Sequence, residues 1–175
     1  MDAMRLIKVS RHALAESRAA LDILAEAWQA QTLAQAIGGR LALTGPPELR
    51  GEARGLSEVG GRGSGVLDSA VLRASELCFT GGVPPCSRPR AAQLSEVADV
   101  HEALTGLAGL LGEVGIALVG VACATDEEAL YWQCIEGIDA ADESSDRVRG
   151  MLRRLTVREQ GRTRSADRDP AAEPS

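Results

Sequence analysis

Apolar residues recur at helical spacing along most of the chain. Between Ala3 and Ile37, the residues Ile7, Leu14, Leu21 and Trp28 stand seven apart. A second row, Leu6, Ala13, Ala20, Ala27 and Ala34, runs beside them, and Leu24 widens the stripe. Lys8, Arg11, Arg18, Asp22 and Gln29 fall on the other side. This is an amphipathic helix with one buried face. Arg18 and Asp22 are placed to pair across one turn. Gly38-Gly39 can end or bend the helix, because glycine is costly in a helix interior. Arg40 to Leu43 add a last turn before Thr44-Gly45-Pro46-Pro47 stops it, since proline has no N–H to donate. The pattern predicts a long helix near 3–43.

Seven glycines follow between Gly45 and Gly65. Composition predicts a flexible connection over 44–66, with a short helical piece around Glu48–Ser57. Gly60-Gly61-Arg62-Gly63-Ser64-Gly65 is no phosphate cradle by pattern, because no strand precedes it and no Lys follows. A shorter helix is expected over 67–79, where Leu67, Val71, Ala74 and Cys78 share a face and Asp68 or Ser69 caps the start. A second connection, 80–89, carries Gly81-Gly82-Val83-Pro84-Pro85, and Pro89 opens the next helix.

That helix is predicted over 90–123, with Leu94, Val97, His101, Leu104, Ala108, Leu111, Leu118 and Ala122 in register. Glycines at 106, 109, 112 and 115 recur every third residue. They weaken a helix in water and let another helix approach closely. A buried strand through Gly115–Ala124 is the competing reading, but no second run of that kind exists to pair with it. Thr125-Asp126-Glu127-Glu128 matches a capping box. From it a stripe of Leu130, Cys134, Ile138, Ala141, Ser145, Val148, Leu152 and Leu155 predicts a helix over 126–157. Residues 158–175 turn polar and read as a disordered tail. The expected fold is an all-α bundle in one domain, 1–157. It has three long helices, with one or two short ones in a glycine-rich connection.

Composition narrows the function classes. Hydrophobic residues make up 45% and charged residues 25%, as in a globular chain. The formal net charge of −6 at pH 7 argues against nucleic acid as the main partner. Eight arginines between Arg147 and Arg168 follow a block of acids from Asp126 to Asp146, so the two partly cancel. All basic residues but Lys8 are arginine and asparagine is absent, a skew typical of high-GC genomes. No signal-peptide pattern follows the N-terminus, and a cytoplasmic location is expected. The apolar run 107–124, broken only by Glu113, is expected to be a buried core helix, with no membrane contact.

Candidate chemistry is sparse. Cys78, Cys86, Cys123 and Cys134 lack zinc-site spacing and read as small buried or half-buried side chains. His101 falls on the apolar seam and reads as a buried or rim histidine. It lacks the Glu-x-x-His frame of a di-iron bundle. His12 and Glu16 read as a surface pair. Glu136 and Asp139 belong to a charged helix face. No catalytic residue, cofactor or metal is expected.

Trp132 stands out, because it lies on the acidic face between Glu128, Glu136 and Asp139, flanked by Tyr131 and Ile135. A central position for its helix, an interface, or a small-molecule pocket would each cover it.

Trp28 in Ala-Glu-Ala-Trp-Gln-Ala-Gln, Gly55 in Glu-Ala-Arg-Gly-Leu-Ser-Glu, and Cys134 in Ala-Leu-Tyr-Trp-Gln-Cys-Ile-Glu carry a further signal. Through them the chain resembles an uncharacterised family of streptomycete-type actinobacterial proteins, from residue 1 to about 155. The resemblance implies a small, mainly helical cytoplasmic protein and no activity for any residue. The expected function is a non-enzymatic interaction module. It self-associates as a homodimer or larger oligomer, or docks a protein partner, through Tyr131, Trp132, Ile135, Glu136 and Asp139. The alternative is a small-molecule sensor with a pocket between the long helices.

Overall fold

The structure, a computed structural model, describes residues 1–77 and 88–166, and side chains over 1–68 and 88–161. Among the described residues five α-helices follow one another: α1 Ala3–Glu16, α2 Ala20–Thr44, α3 Arg50–Leu77, α4 Val100–Ala124 and α5 Glu128–Ala166. Single 3-10 turns occupy Pro47–Leu49 and Arg90–Gln93. Among the described residues there is no strand, only an isolated bridge between Asp2 and Glu96. Gly115–Ala124 lies within α4 and is helical. The all-α expectation holds, but the layout is four long helices and one short one.

The helix expected over 3–43 is broken at Ser17-Arg18-Ala19. The Ser17 backbone N–H donates to the carbonyls of Ala13 and Leu14, and its hydroxyl also donates to Ala13 O. Arg18 donates to Ala15 O at 2.9 Å rather than pairing with Asp22. These bonds satisfy the carbonyls that a helix end leaves open. The break lets α1 turn and lie across both α2 and α4. At its other end, the Asp2 carboxylate accepts from Met4 N at 3.0 Å and caps α1.

Gly38-Gly39 do not end α2, which runs on to Thr44. Nor is 44–66 a loop: α3 is one helix through all the glycines after Gly45. Asp68 and Ser69 therefore sit inside a helix rather than at its start. The reason is tertiary. A Cβ at Gly38 would lie 2.7 Å from Ser57 N, and one at Gly60 would lie 2.7 Å from Gln35 N. The two backbones touch where side chains would hold them apart. Each glycine costs about 1 kcal/mol of helix propensity. Burial of Leu49, Ala53, Leu56, Val59 and Leu67 offsets that loss.

α4 begins at Val100, not near residue 90, with Asp99 as its cap: its carboxylate accepts from Glu102 N at 2.8 Å. The preceding segment is tethered elsewhere. Arg90 N donates to Gln29 Oε1 at 2.8 Å, and the Arg90 guanidinium grips Glu26 at 2.5 and 2.6 Å. Ser95 N and Ala98 N donate to Met1 O and Asp2 Oδ1. Backbone groups used in this way cannot extend a helix.

The capping box at 125–128 does not form. Thr125 N donates to Val121 O and closes α4, so Glu128 has no free N–H to receive. The Thr125 hydroxyl instead accepts from Glu127 N at 3.1 Å. α5 then runs to Ala166, beyond the expected end at 157. The stripe within it is buried at Cys134, Ala141, Ser145, Val148 and Leu155, and half-buried at Leu130, Ile138 and Leu152. The expected helix end at 78–79, the connection over 80–87, Cys78, Cys86 and the tail from 167 lie outside the described residues.

The most extensive contacts join α2 to α3 and α4 to α5, and α3 against α5 closes the bundle. Leu24, Leu33, Ile37 and Leu41 of α2 face Leu56, Leu104, Leu107 and Leu118 across one core. α4 is long and apolar enough to cross a membrane, with a mean hydropathy of 2.0 in its most apolar window, and 39% of that window is buried. It is not covered all round: Ile116 is 75% and Val119 47% exposed.

Candidate interaction surface

α5 turns its apolar stripe inward, which sends the residues half a turn away to the surface. Trp132 is 55% exposed there. Among the described residues no neighbouring helix covers it, so a central core position for it is not observed. Tyr131, 41% exposed, meets it edge-to-face with ring centres 5.4 Å apart. Such a pair is favourable beyond its area alone. Glu136 and Asp139 are exposed beside it and Ile135 is half-buried. All five expected residues thus lie on one stretch of α5, with Ile135 nearest the packed side.

Sequence reasoning missed the other end of the same helix. A groove of about 670 Å³ crosses the C-terminal half of α5 and the start of α3. It is lined by Glu48, Glu52, Gly150, Arg153, Arg154, Val157 and Arg158. Val157 is 68% exposed. Arg158 holds Glu48 at 2.5 Å, Arg154 holds Glu52 at 2.8 Å, and Arg147 approaches Glu52 at 3.6 Å. Arg153 takes part in none of these pairs. Exposed pairs of this kind contribute little stability, typically under about 1 kcal/mol. They do place guanidinium groups around an apolar floor. An exposed Val next to Gly150 was the available signal, but both lay in a stretch that reads as a polar helix end.

The remaining candidates disperse. His101 is exposed, not on a buried seam, because α4 begins one residue before it and its first turn projects beyond the core. His12 lies 3.3 Å from Glu16 on the surface, as expected for one helical turn. Cys123 is exposed, whereas Cys134 is fully buried and its burial pushes the thiol pKa up. Arg11 is held charged by its bidentate contact with Glu113 across α1 and α4. Among the described residues no three His, Cys, Asp or Glu side chains group as a metal site requires. Gln31 and Ser144 form a buried polar contact at 3.1 Å between α2 and α5, which fixes their register.

These features define an all-helical protein with an aromatic, acidic outer face at one end of its longest helix and an arginine-rimmed groove at the other. The chain belongs to a family of unknown function (DUF6099), which matches residues 1–154. No curated protein matches the chain, and no solved structure does.

Proposed function

We propose that the protein is a non-enzymatic interaction module, working in the cytoplasm, whose contact surface is the Trp132 face of α5. One observation carries this reading: a tryptophan and a tyrosine, stacked edge-to-face, stand in solvent on a helix whose other side is packed. Aromatic residues of this kind are enriched at the energetic centres of interfaces. The arginine-for-lysine skew and the segments around Trp28, Gly55 and Cys134 support an actinobacterial origin.

The test is Trp132→Glu. Light scattering should show a lower mass, with helicity by circular dichroism unchanged, because the side chain supports no core contact. Loss of helicity places Trp132 in the fold rather than the interface and removes the reading.

A second reading, a small-ligand sensor, draws on a groove of about 420 Å³ between the start of α2 and the end of α4. Arg18 sits at one edge of it, with Ile23, Ala117, Val121 and Leu130 among its lining residues. A metabolite that raises the melting temperature of the wild-type chain, but not of an Ile23→Glu variant, would favour it.

A further inference from the structure

We propose that α5 pairs with α5 of a second copy of this chain, antiparallel about a two-fold axis, each Trp132 seated in the other copy's Gly150–Val157 groove. The proposal rests on the Trp132-face reading and names its partner.

The spacing on the outer face carries it. Trp132, Glu136 and Asp139 form the first half of an outward stripe, and Gly150, Arg153 and Val157 the second. Glu143 and Asp146 fill the middle. Steps of four and three alternate throughout, which keeps these residues on one face of the helix. The stripe is also symmetric about a point between residues 144 and 145. Laid antiparallel against itself, it sets Trp132 opposite Val157, Glu136 opposite Arg153, and Asp139 opposite Gly150. A surface that is its own complement is what a two-fold dimer requires.

The chemistry of the two ends agrees with this register. Trp132 is ringed by the carboxylates of Glu128, Glu136 and Asp139. The groove carries Arg153, Arg154 and Arg158 against Glu48 and Glu52, which pair with the last two, so its excess positive charge rests on Arg153. Opposite charge steers the ends together, and a guanidinium over an indole face adds cation–π attraction. At Gly150 a side chain would meet only the tip of Arg153, at 3.8 Å, so the outward side is open for Asp139. The middle works against pairing, because Glu143 and Asp146 bring four carboxylates near the axis. Each is held by an arginine of its own chain, Arg62 at 3.1 Å and Arg149 at 3.3 Å.

The span from Trp132 to Val157 is about 38 Å at 1.5 Å per residue. One helix about 10–12 Å wide then presents about 400 Å² in plan, below the roughly 800 Å² per partner of a standard interface. The expected dimer is therefore weak, concentration-dependent and sensitive to salt.

Sedimentation equilibrium on the full chain tests this. The wild-type mass should rise from one chain to two over micromolar concentrations, and fall back with added salt. Glu136→Arg and Arg153→Glu should each sediment as monomers, with unchanged circular dichroism. Mixed in equal amounts they should recover the two-chain mass. The mixed pair sets the introduced arginine against the introduced glutamate at one end, and keeps the native Glu136–Arg153 pairing at the other. A mixture that stays monomeric overturns the pairing. If Trp132→Glu still lowers the wild-type mass in that case, the Trp132 face survives as a contact with a different geometry. A wild-type chain that is monomeric at every concentration overturns the self-pairing and leaves the face to a different protein. A dimer that Trp132→Glu does not weaken overturns both.

Discussion

The glycines of α3 and those of α4 look alike in sequence, yet most of the first are packed against neighbours and most of the second are not. In α3, Gly55, Gly60, Gly61 and Gly63 meet the backbone or side chains of neighbours, while Gly51 and Gly65 face open space. Gly60 lies against Gln31 and Gln35, and a Cβ at Gly63 would be 2.9 Å from the Ala140 methyl. In α4 only Gly106 meets another helix, at Met4 and Ile7 of α1, while Gly109, Gly112, Gly115 and Gly120 face open space. Glycine spacing therefore does not reveal whether a partner helix is present. What separates the two helices is hydropathy. α3 has few large apolar residues and needs close contact to bury what it has, whereas α4 buries a row of leucines and can leave one side uncovered.

The largest effect should come from breaking the close approach in α3. Gly60→Ala places a methyl within 3 Å of backbone atoms of α2 that cannot move singly. Overpacking of this kind costs about 1–3 kcal/mol, read as a lower urea midpoint. An unchanged midpoint would mean that the α2–α3 contact is looser than described.

Gly112→Ala should do the reverse. Nothing lies within 4 Å of the added methyl, so only helix propensity changes, and stability should rise by about 1 kcal/mol. A loss at this position would show that the open face of α4 is covered in solution.

The smallest effect concerns thiols on the same two-sided pattern. In a Cys78→Ser/Cys86→Ser background, a thiol reagent should modify Cys123 at once and Cys134 only on unfolding, since one is exposed and the other buried. Burial raises the Cys134 pKa, so the unfolded thiol ionises first as pH rises. Its contribution to stability is constant below the ordinary thiol range, near about 8.5, and is lost as pH climbs toward the raised folded value. Labelling of Cys134 should accelerate there in step with unfolding. Rapid labelling at neutral pH would contradict its burial.

Part of the candidate site was legible from spacing alone. The inward stripe from Leu130 to Leu155 implied that Trp132 stood on the wrong side for a core residue, and it does. The arginine-rimmed groove was not legible. It depends on Glu48, in the turn before α3, and Glu52 of α3, about a hundred residues away, meeting Arg158 and Arg154 of α5. Likewise, His101 matched the α4 spacing but lies beyond the packed part of that helix.

Residue pattern alone dictates the all-α class, because apolar residues at helical period can be buried only on one side of a helix, and no second strand-like run exists. It also dictates which face of α5 is inward. Where helices begin and end is set by packing between them. Ser17 breaks a helix that no glycine or proline interrupts, and Arg90 and Ser95 give their backbone to other segments. α3 stays helical through Gly60, Gly61 and Gly63 because α2 lies against it there. Local propensities there differ by about a kilocalorie or less per residue. Contacts between distant segments outweigh them, and those contacts exist only once the chain has folded.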